Sequence, residues 1–442
     1  MKTRNIYSLL YVTFVAVVLV ACNDYDAAQT AYEEIVDSDV TTTPPNIDSA
    51  WELQLIPNVG QHSGEVFVYK DKKYDKLFTR TLGWNGGIGV QSTSLSDGNV
   101  LWAFNDSYFG VVDAETRARG NCNFPHNSIM VQTTVGGSLG ETDDDLRWLV
   151  DYIQTNDPDG EGYYQAYTHI APDETIMEEY EEHFYQIGGA TIFDNNGVKE
   201  LQMLWGEMDN HEGKMTRTGT CLAVYSLEGQ PGNSTYLKRI SKNEEFNTDD
   251  VGYGSTIWKD EDGHIYLYVT ENNRPLVART TTHDLTSEWE YYIRDLSGNF
   301  MWQKMYPTKE ERTRSTIMEN NYVCSMPQIF KKGDYYYMIG QAVSYVHSVY
   351  LYRGETPYGP FTDQKILFNV PYAVDKIGNQ YYKNLLRVNL HLELAREGEL
   401  VFSTNTDADT AGDNFDFPGS ADFCRPYFYR VFNWESIYDE DE

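Results

Sequence analysis

Residues Gly86 to Asp106 read GGIGVQSTSLSDGNVLWAFND, and this stretch sets the pattern for most of the chain. A strand of small and polar residues, Gly86–Leu95, leads into the turn Ser96-Asp97-Gly98-Asn99. An apolar strand follows, Val100–Phe104, and stops abruptly at Asn105-Asp106. Asp, Asn and Gly supply the backbone angles of a tight hairpin, and short apolar-aromatic runs between such turns read as strands. A third strand, Asn127–Gln132, completes the unit.

The phrase restarts four more times with little sequence identity. The second copy has strands Gln186–Phe193 and Leu201–Glu207 around the turn Asp194-Asn195-Asn196-Gly197, then Cys221–Tyr225. The third has Gly252–Trp258 and His264–Glu271. The fourth has Ser325–Phe330, the turn Lys331-Lys332-Gly333-Asp334, Tyr335–Gln341 and Val349–Arg353. The fifth has Val388–Leu394, Glu399–Asn405 and Arg425–Val431. Units recurring at this spacing predict an all-β fold, a five-bladed β-propeller over residues 50–442. A β-sandwich would not restart one three-part phrase five times. The acidic segment Gly140–Glu182 breaks the rhythm and is expected as an inter-blade insertion, with Glu174–Phe184 as one short helix.

Composition excludes several partners. The 442 residues carry 34 Lys and Arg against 67 Asp and Glu, a formal net charge of -33. Nucleic acid binding needs clustered cations, so no nucleic acid partner is expected. A polybasic membrane patch is equally absent from the pattern. Aromatics make up 14%, which a disordered chain lacks. The 35 Tyr and 9 Trp suit strands, and their rings would also suit sugar stacking.

The first residues read as an address. Lys2 and Arg4 precede an apolar run from Tyr7 to Val20, too short for a membrane span and placed like a secretory signal. Its end, Leu19-Val20-Ala21-Cys22, resembles a bacterial lipobox, which implies removal of residues 1–21 and lipidation of Cys22. The acidic residues after it look like the surface-export signal of Bacteroidota lipoproteins. The expected location is therefore the outer membrane at the cell surface, with the lipid anchor as the sole membrane contact. Residues 22–49, with Thr41-Thr42-Thr43-Pro44-Pro45, read as the anchor and a flexible tether. The other cysteines, Cys122, Cys221, Cys324 and Cys424, have no zinc spacing, and any pairing among them is open. Cys221 lies in an apolar run and reads as a core thiol.

In a propeller the starts of the inner strands and the ends of the second strands share one mouth. That places Asn105 and Asp106, Glu207 and Asp209, Glu271, Gln341, and Asn405 with Asp407 around one opening. Like charges held together raise one another's pKa, giving one protonated acid beside one ionised base. Glycoside hydrolysis uses such a pair. The candidate catalytic residues are Asp106, Glu207, Asp209 and Glu271. The candidate sugar contacts are Trp84, Asn85, Asn105, His126, Asn127, Tyr253, Gln328, Asn389 and His391. No metal ligand set and no cofactor is expected, although a channel cation such as calcium would be compatible with the architecture. No GxSxG, Walker, HExxH or Rossmann pattern is present.

Arg80–Gly110, RTLGWNGGIGVQSTSLSDGNVLWAFNDSYFG, and Val388–Asp407, VNLHLELAREGELVFSTNTD, resemble the uncharacterised-domain families numbered 5005 and 4185. The resemblance runs from about Trp51 to the C-terminus. It implies a five-bladed propeller of the kind common among Bacteroidota polysaccharide-degrading lipoproteins. For the 4185 group it implies endo-acting D-arabinanases, related in architecture to glycoside hydrolase families 43 and 32. The expected function is thus a surface glycoside hydrolase of the furanosidase or arabinanase class acting on poly- or oligosaccharide. In it Asp106 would be base or nucleophile and Glu207 the general acid. The family motif Phe-Gly-Asp-Thr is matched at Asp106, with Asn105 for Gly and Ser107 for Thr. The motif Gly-Gly-Asp-Gly is not, because Ile88 stands at its Asp. Where that Asp is base or nucleophile, the departure implies a weakened or non-catalytic, glycan-binding member.

Overall fold

The computed structural model describes residues 51–56, 66–149, 152–155, 163–166, 168–172, 182–211, 213–247, 250–281, 284–370, 376–377, 380–381, 385–396 and 398–441. Cys22 and the tether lie outside these residues. The described structure is all-β, with the two short helices Lys72–Leu77 and Lys309–Arg314 and a few 3-10 turns. None of its helices is long and apolar enough to cross a membrane.

Five antiparallel sheets carry the fold. In the order of their hydrogen-bonded strands, the first is Gln91–Ser94, Val100–Phe104, Ser128–Gln132 and Leu146–Trp148. The second is His183–Asn195, Val198–His211, Lys214–Leu227 and Tyr236–Asn247. The third is Thr256–Lys259, Ile265–Glu271, Arg274–Thr280, Trp289–Arg294 and Phe300–Gln303. The fourth is Ser325–Lys332, Tyr335–Gln341, Ser348–Gly354 and Thr362–Asn369. The fifth is Leu385–Leu390, Glu399–Thr406, Pro426–Phe432, Phe67–Asp71 and Leu53–Ile56. Among the described residues no sheet closes on itself. The first turn of the second sheet shows why the hairpins form: Asn196 and Gly197 have φ of 58° and 86°, the pair that a two-residue hairpin turn demands.

The core lies between sheets. Leu101, Ile129 and Val131 of the first pack with Ile187, Met203 and Trp205 of the second. Leu204 and Leu222 of the second meet Leu267 and Leu276 of the third. Tyr268 and Val277 meet Ile329 and Met338 of the fourth. Ile339 and Leu351 meet Val388 and Phe402 of the fifth. Val401 and Phe428 of the fifth return to Val100 and Trp102 of the first. Each sheet thus buries both faces against its neighbours, and the last packs on the first. Side chains in such layers contribute about 1.5–3 kcal/mol each when fully buried.

The fifth sheet is built from both ends of the chain. Phe67–Asp71 pairs with Pro426–Phe432, with Phe67 opposite Phe432. A buried ion cluster fixes the join. Arg430 Nε lies 2.6 Å from Asp71 Oδ2, and its Nη1 lies 2.5 Å from Glu399 Oε1. Asp71 also caps the helix Lys72–Leu77, its Oδ1 accepting from Lys73 N and Tyr74 N.

Three sequence expectations are corrected. The first strand does not run unbroken over Gly86–Leu95. Gly86 and Gly87 end a strand, Leu82–Gly87, of a separate three-stranded sheet with Ser107–Val112 and Arg119–Asn123, and Gln91–Ser94 alone is the inner strand. Gly89, with φ 68°, makes the break. The segment Gly140–Glu182 is not wholly an insertion, because Leu146–Trp148 is the outer strand of the first sheet. Tyr152–Thr155 and Tyr163–Ala166 pair as a hairpin. Of the helix expected at Glu174–Phe184, residues 174–181 lie outside the described residues, while His183 and Phe184 begin a strand.

Candidate active site

The inner strands of all five sheets line one narrow cavity of about 60 Å³. Gln91, Ser92 and Thr93 come from the first sheet, Gly189 and Ala190 from the second, and Ser255, Thr256 and Ile257 line the third-sheet side. Gln328 comes from the fourth, and Asn389 and Leu390 from the fifth. Such a space holds water-sized groups, not a sugar ring. Gln328 Nε2 donates to Thr256 Oγ1 at 3.1 Å, and Gln91 Nε2 donates to the Ser255 carbonyl at 3.1 Å. Gln328 and Asn389 are therefore channel-lining groups rather than sugar contacts. The lining offers hydroxyls and amides. Among the described residues no group of three or more His, Cys, Asp and Glu side chains is placed to hold a metal ion.

Chemistry concentrates around Asp106, which follows the strand Val100–Phe104 directly. Its Oδ1 lies 2.9 Å from His126 Nδ1. The His126 ring stacks on Phe184 at 4.1 Å between centroids, so the imidazole is held in place by an apolar face. Asp106 keeps a fifth of its side chain exposed. Ile88 is bonded to this corner through its backbone: its N–H donates to the Asp106 carbonyl at 3.1 Å, and its carbonyl accepts from Asn105 N at 2.7 Å. The side chain of Ile88 packs on the large core layer of the fifth sheet. An acid at this position would stand next to Asp106.

Two charged groups of the fifth sheet face Asp106: Arg387, which was not among the candidate residues, and Asp407, which was expected at the mouth but not among the catalytic candidates. Arg387 is the extra residue of a bulge between Leu386 and Val388, with φ of 50°. Bulges re-aim side chains and recur beside active sites. Its guanidinium lies against Gly89, where a Cβ would come within 2.8 Å of Nη1. No described residue hydrogen-bonds to it. Burial lowers the Arg387 pKa to about 10, and the Asp106 charge offsets part of that. Asp407 follows the strand Glu399–Thr406. Burial, with the charges of Asp106 and Asp409, raises its pKa above the usual carboxylate value, partly offset by hydrogen bonds from the Ala408 backbone and Cys424. The Cys424 thiol lies 3.7 Å from its Oδ1. Tyr345, half exposed, stands near enough to Asp407 to feel its charge. Phe124, also half exposed, packs at a tilt on Tyr108 and edge-on to His126. Asp407 was legible as a strand-end carboxylate. Arg387, Tyr345 and Phe124 carried no signal beyond their residue type.

The remaining acids differ from one another. Glu207 lies inside a strand, since Val198–His211 continues past the expected end, and its Oε1 is 2.9 Å from His183 Nε2. His183 and Phe184 are successive residues of one strand and point to opposite faces, His183 exposed with Glu207 and Phe184 buried against His126, so the two carboxylate–histidine pairs are separate. Asp209 stands further along the same strand, partly exposed and without a side-chain bond to a described residue. Glu271 is gripped by Arg312, with Nε to Oε2 at 3.0 Å and Nη2 to Oε1 at 3.1 Å. Both of its oxygens are engaged, which suits holding the helix Lys309–Arg314 rather than proton transfer.

Several expected sugar contacts are structural. Trp84 is fully buried among Phe78, Phe104 and Trp148. Asn85 accepts from Arg119 Nε at 2.8 Å and donates to the Gly83 carbonyl. Asn105 accepts from Ile187 N at 2.7 Å and ties the first sheet to the second. Asn127 donates to the carbonyls of Ile170 and Tyr185 and accepts from Ile170 N. Tyr253 is buried against Tyr291 and Tyr306. His391 is buried between Trp102 and Phe428, with Ser92 Oγ at 2.6 Å on one nitrogen and Ser403 Oγ at 2.8 Å on the other. Burial, reinforced by the Arg430 charge, lowers its pKa to about 3, so it is neutral. A polar side chain that satisfies a buried backbone looks, in sequence, the same as one that meets a ligand. The four described cysteines are free thiols, and burial pushes Cys221 up to about 11.

Residues 71–434 match the family described as Domain of unknown function (DUF5005). A crystal structure of a candidate hydrolase from Bacteroides ovatus ATCC 8483 is 54% identical. It covers 92% of this chain and 100% of its own, with a TM-score of 0.83. Looser likenesses include a GH43_1 enzyme from Xanthomonas citri, 11% identical, covering 80% and 88% of the two chains at a TM-score of 0.38. Another is a glycoside hydrolase family 43 arabinoxylan arabinofuranohydrolase from Bacillus subtilis, solved in complex with cellotetraose. It is 11% identical and covers 78% and 63%, at a TM-score of 0.39. No curated protein matches the chain.

Proposed function

We propose that this chain, which belongs to the DUF5005 family, is a five-bladed β-propeller that hydrolyses glycosidic bonds of a polysaccharide at the Asp106 mouth. The propeller reading is supported by the cyclic order of the core layers and by the single cavity that all five inner strands line. The hydrolase reading is supported by the 54% identity to a candidate hydrolase. The observation that carries the site is the pairing of Asp106 with a fixed His126 while Asp407 faces the same charge with its pKa raised.

In this reading Asp106 is the base or nucleophile. Asp407 replaces Glu207 as the proton donor, because a raised pKa shifts a carboxyl toward the acid form that can protonate a leaving oxygen. Glu207 stays partly solvated against His183. Arg387 faces Asp106 as a fixed positive charge. Tyr345 and Phe124 are the exposed rings against which a sugar face packs. The substrate belongs to the furanose-containing class, such as an arabinan. Residues 1–21 are the export signal, and lipidated Cys22 tethers the protein to the outer membrane at the cell surface.

A second reading, a glycan-binding propeller without catalysis, is favoured by Ile88, the apolar residue beside Asp106. The test uses protein beginning at residue 23, with Asp106→Asn and Asp407→Asn variants, incubated with arabinans, fructans and host glycans. Oligosaccharides released by the unsubstituted protein alone would support the enzyme and its acid pair. Equal release by Asp106→Asn would discard the site. Retention in a glycan-containing gel without release from any glycan would establish the second reading.

A further inference from the structure

The geometry points to a second saccharide site on the outside of the ring, one that holds a single neutral sugar residue against Trp148. A pocket of about 180 Å³ lies where the three-stranded sheet meets the outer edge of the first sheet. Arg80, Leu82, Trp84, Phe109, Asp143 and Trp148 are among its lining residues. Leu146–Trp148 is the outermost strand of its sheet and Gln91–Ser94 the innermost, so the pocket is separate from the Asp106 mouth.

The pocket is built rather than incidental. The Trp148 indole is locked by stacking on Trp84 at 5.2 Å and by the edge of Phe109 at 5.6 Å. A preset aromatic wall loses little freedom when a ligand packs on it. Three buried donors in the lining residues, Arg80 Nε, Trp84 Nε1 and Trp148 Nε1, have no acceptor among the described residues. Buried donors in native proteins nearly always meet a partner, from water or from a ligand. Asp143 Oδ1, 3.1 Å from Arg80 Nη1, adds an acceptor at the rim. Leu82, half exposed, extends the apolar side.

An indole face, donors for hydroxyl oxygens and one carboxylate acceptor match a sugar ring, which has a C–H face and hydroxyls that both donate and accept. An anionic sugar fits less well. Asp143 stands at the opening with 71% of its side chain exposed, and the chain carries a net charge of -33. The site would let the protein hold one part of a chain while another reaches Asp106. Binding here needs no hydrolysis.

The test is saturation-transfer NMR on the protein from residue 23 onward. The probes are methyl glycosides of L-arabinofuranose, D-xylopyranose, D-galactopyranose and D-glucopyranose. The expected result is transfer to at least one glycoside that weakens about tenfold in Trp148→Ala and in Arg80→Gln, and is unchanged in Asp106→Asn. Arg80→Gln leaves the aromatic packing intact, so loss there is not loss of fold; the melting temperature of each variant checks this. Transfer to none of the four overturns the proposal. So does transfer that survives both pocket variants, or that disappears in Asp106→Asn. Absence of oligosaccharide release, by contrast, would bear on the Asp106 reading alone.

Discussion

Asp71→Ala removes three contacts at the join between the two ends of the chain. Two are the cap bonds to Lys73 N and Tyr74 N, and a lost cap costs about 1 kcal/mol. The third is the buried contact to Arg430. Breaking a buried pair by deleting one partner costs about 3–5 kcal/mol. Arg430 keeps Glu399 and the Leu394 carbonyl, which places this case at the low end. The sum is about 4 kcal/mol. With an unfolding entropy of ~2.1 cal/mol/K per residue over roughly 390 residues, that lowers the melting temperature by about 5 °C. Asp71→Asn keeps an acceptor for the helix and loses the charge, so its cost is smaller, about 3 kcal/mol. Differential scanning calorimetry reads both. A shift under about 1 °C for Asp71→Ala would show that the Arg430 cluster does not hold the join, and the reasoning would fail.

Three further outcomes are expected. His391 titrates near 6.5 when unfolded and about 3 when folded, so stability is complete above pH 6.5 and falls as pH drops toward 3, by about 1.4 kcal/mol per unit. Urea midpoints measured across that range should show this component vanish in His391→Gln. Asp407 has the opposite sign: its folded pKa is raised, so stability is lost as pH climbs from the usual 3.8 through the raised value. Asp407→Asn should flatten that slope in the same titration, and release of oligosaccharide should drop at least about a hundredfold if the side chain is the proton donor. Ile88→Asp places a carboxyl beside Asp106, at a cost of about 1–3 kcal/mol in stability. If this chain is the non-catalytic form, reducing-end assays on arabinan should detect hydrolysis only in that variant.

Legibility followed locality. The turn at Asn196-Gly197 was readable because two adjacent residues decide it. The strand Tyr335–Gln341 was bounded correctly because Gly333-Asp334 starts it and the polar Gln341 ends it. The Arg387 bulge was invisible, since one extra residue in a strand leaves no mark until its partner strand is aligned. Phe67–Asp71 was missed because its partner lies at the other end of the chain. At the candidate site, residue type located Asp106 and Asp407, but it did not separate Glu271, whose oxygens both meet Arg312, from an acid free to react.

The sheet shared by the two ends also imposes an order on folding. A chain made from its N-terminus can pair Phe67–Asp71 with Leu53–Ile56 on one edge, but the other edge stays open until Pro426–Phe432, nearly the last strand, emerges. Until then the final core layer, with Val401 and Phe428 set against Val100 and Trp102, has no second wall. Contacts of such sequence separation form late and slowly. The growing chain therefore stays unclosed through almost all of its synthesis.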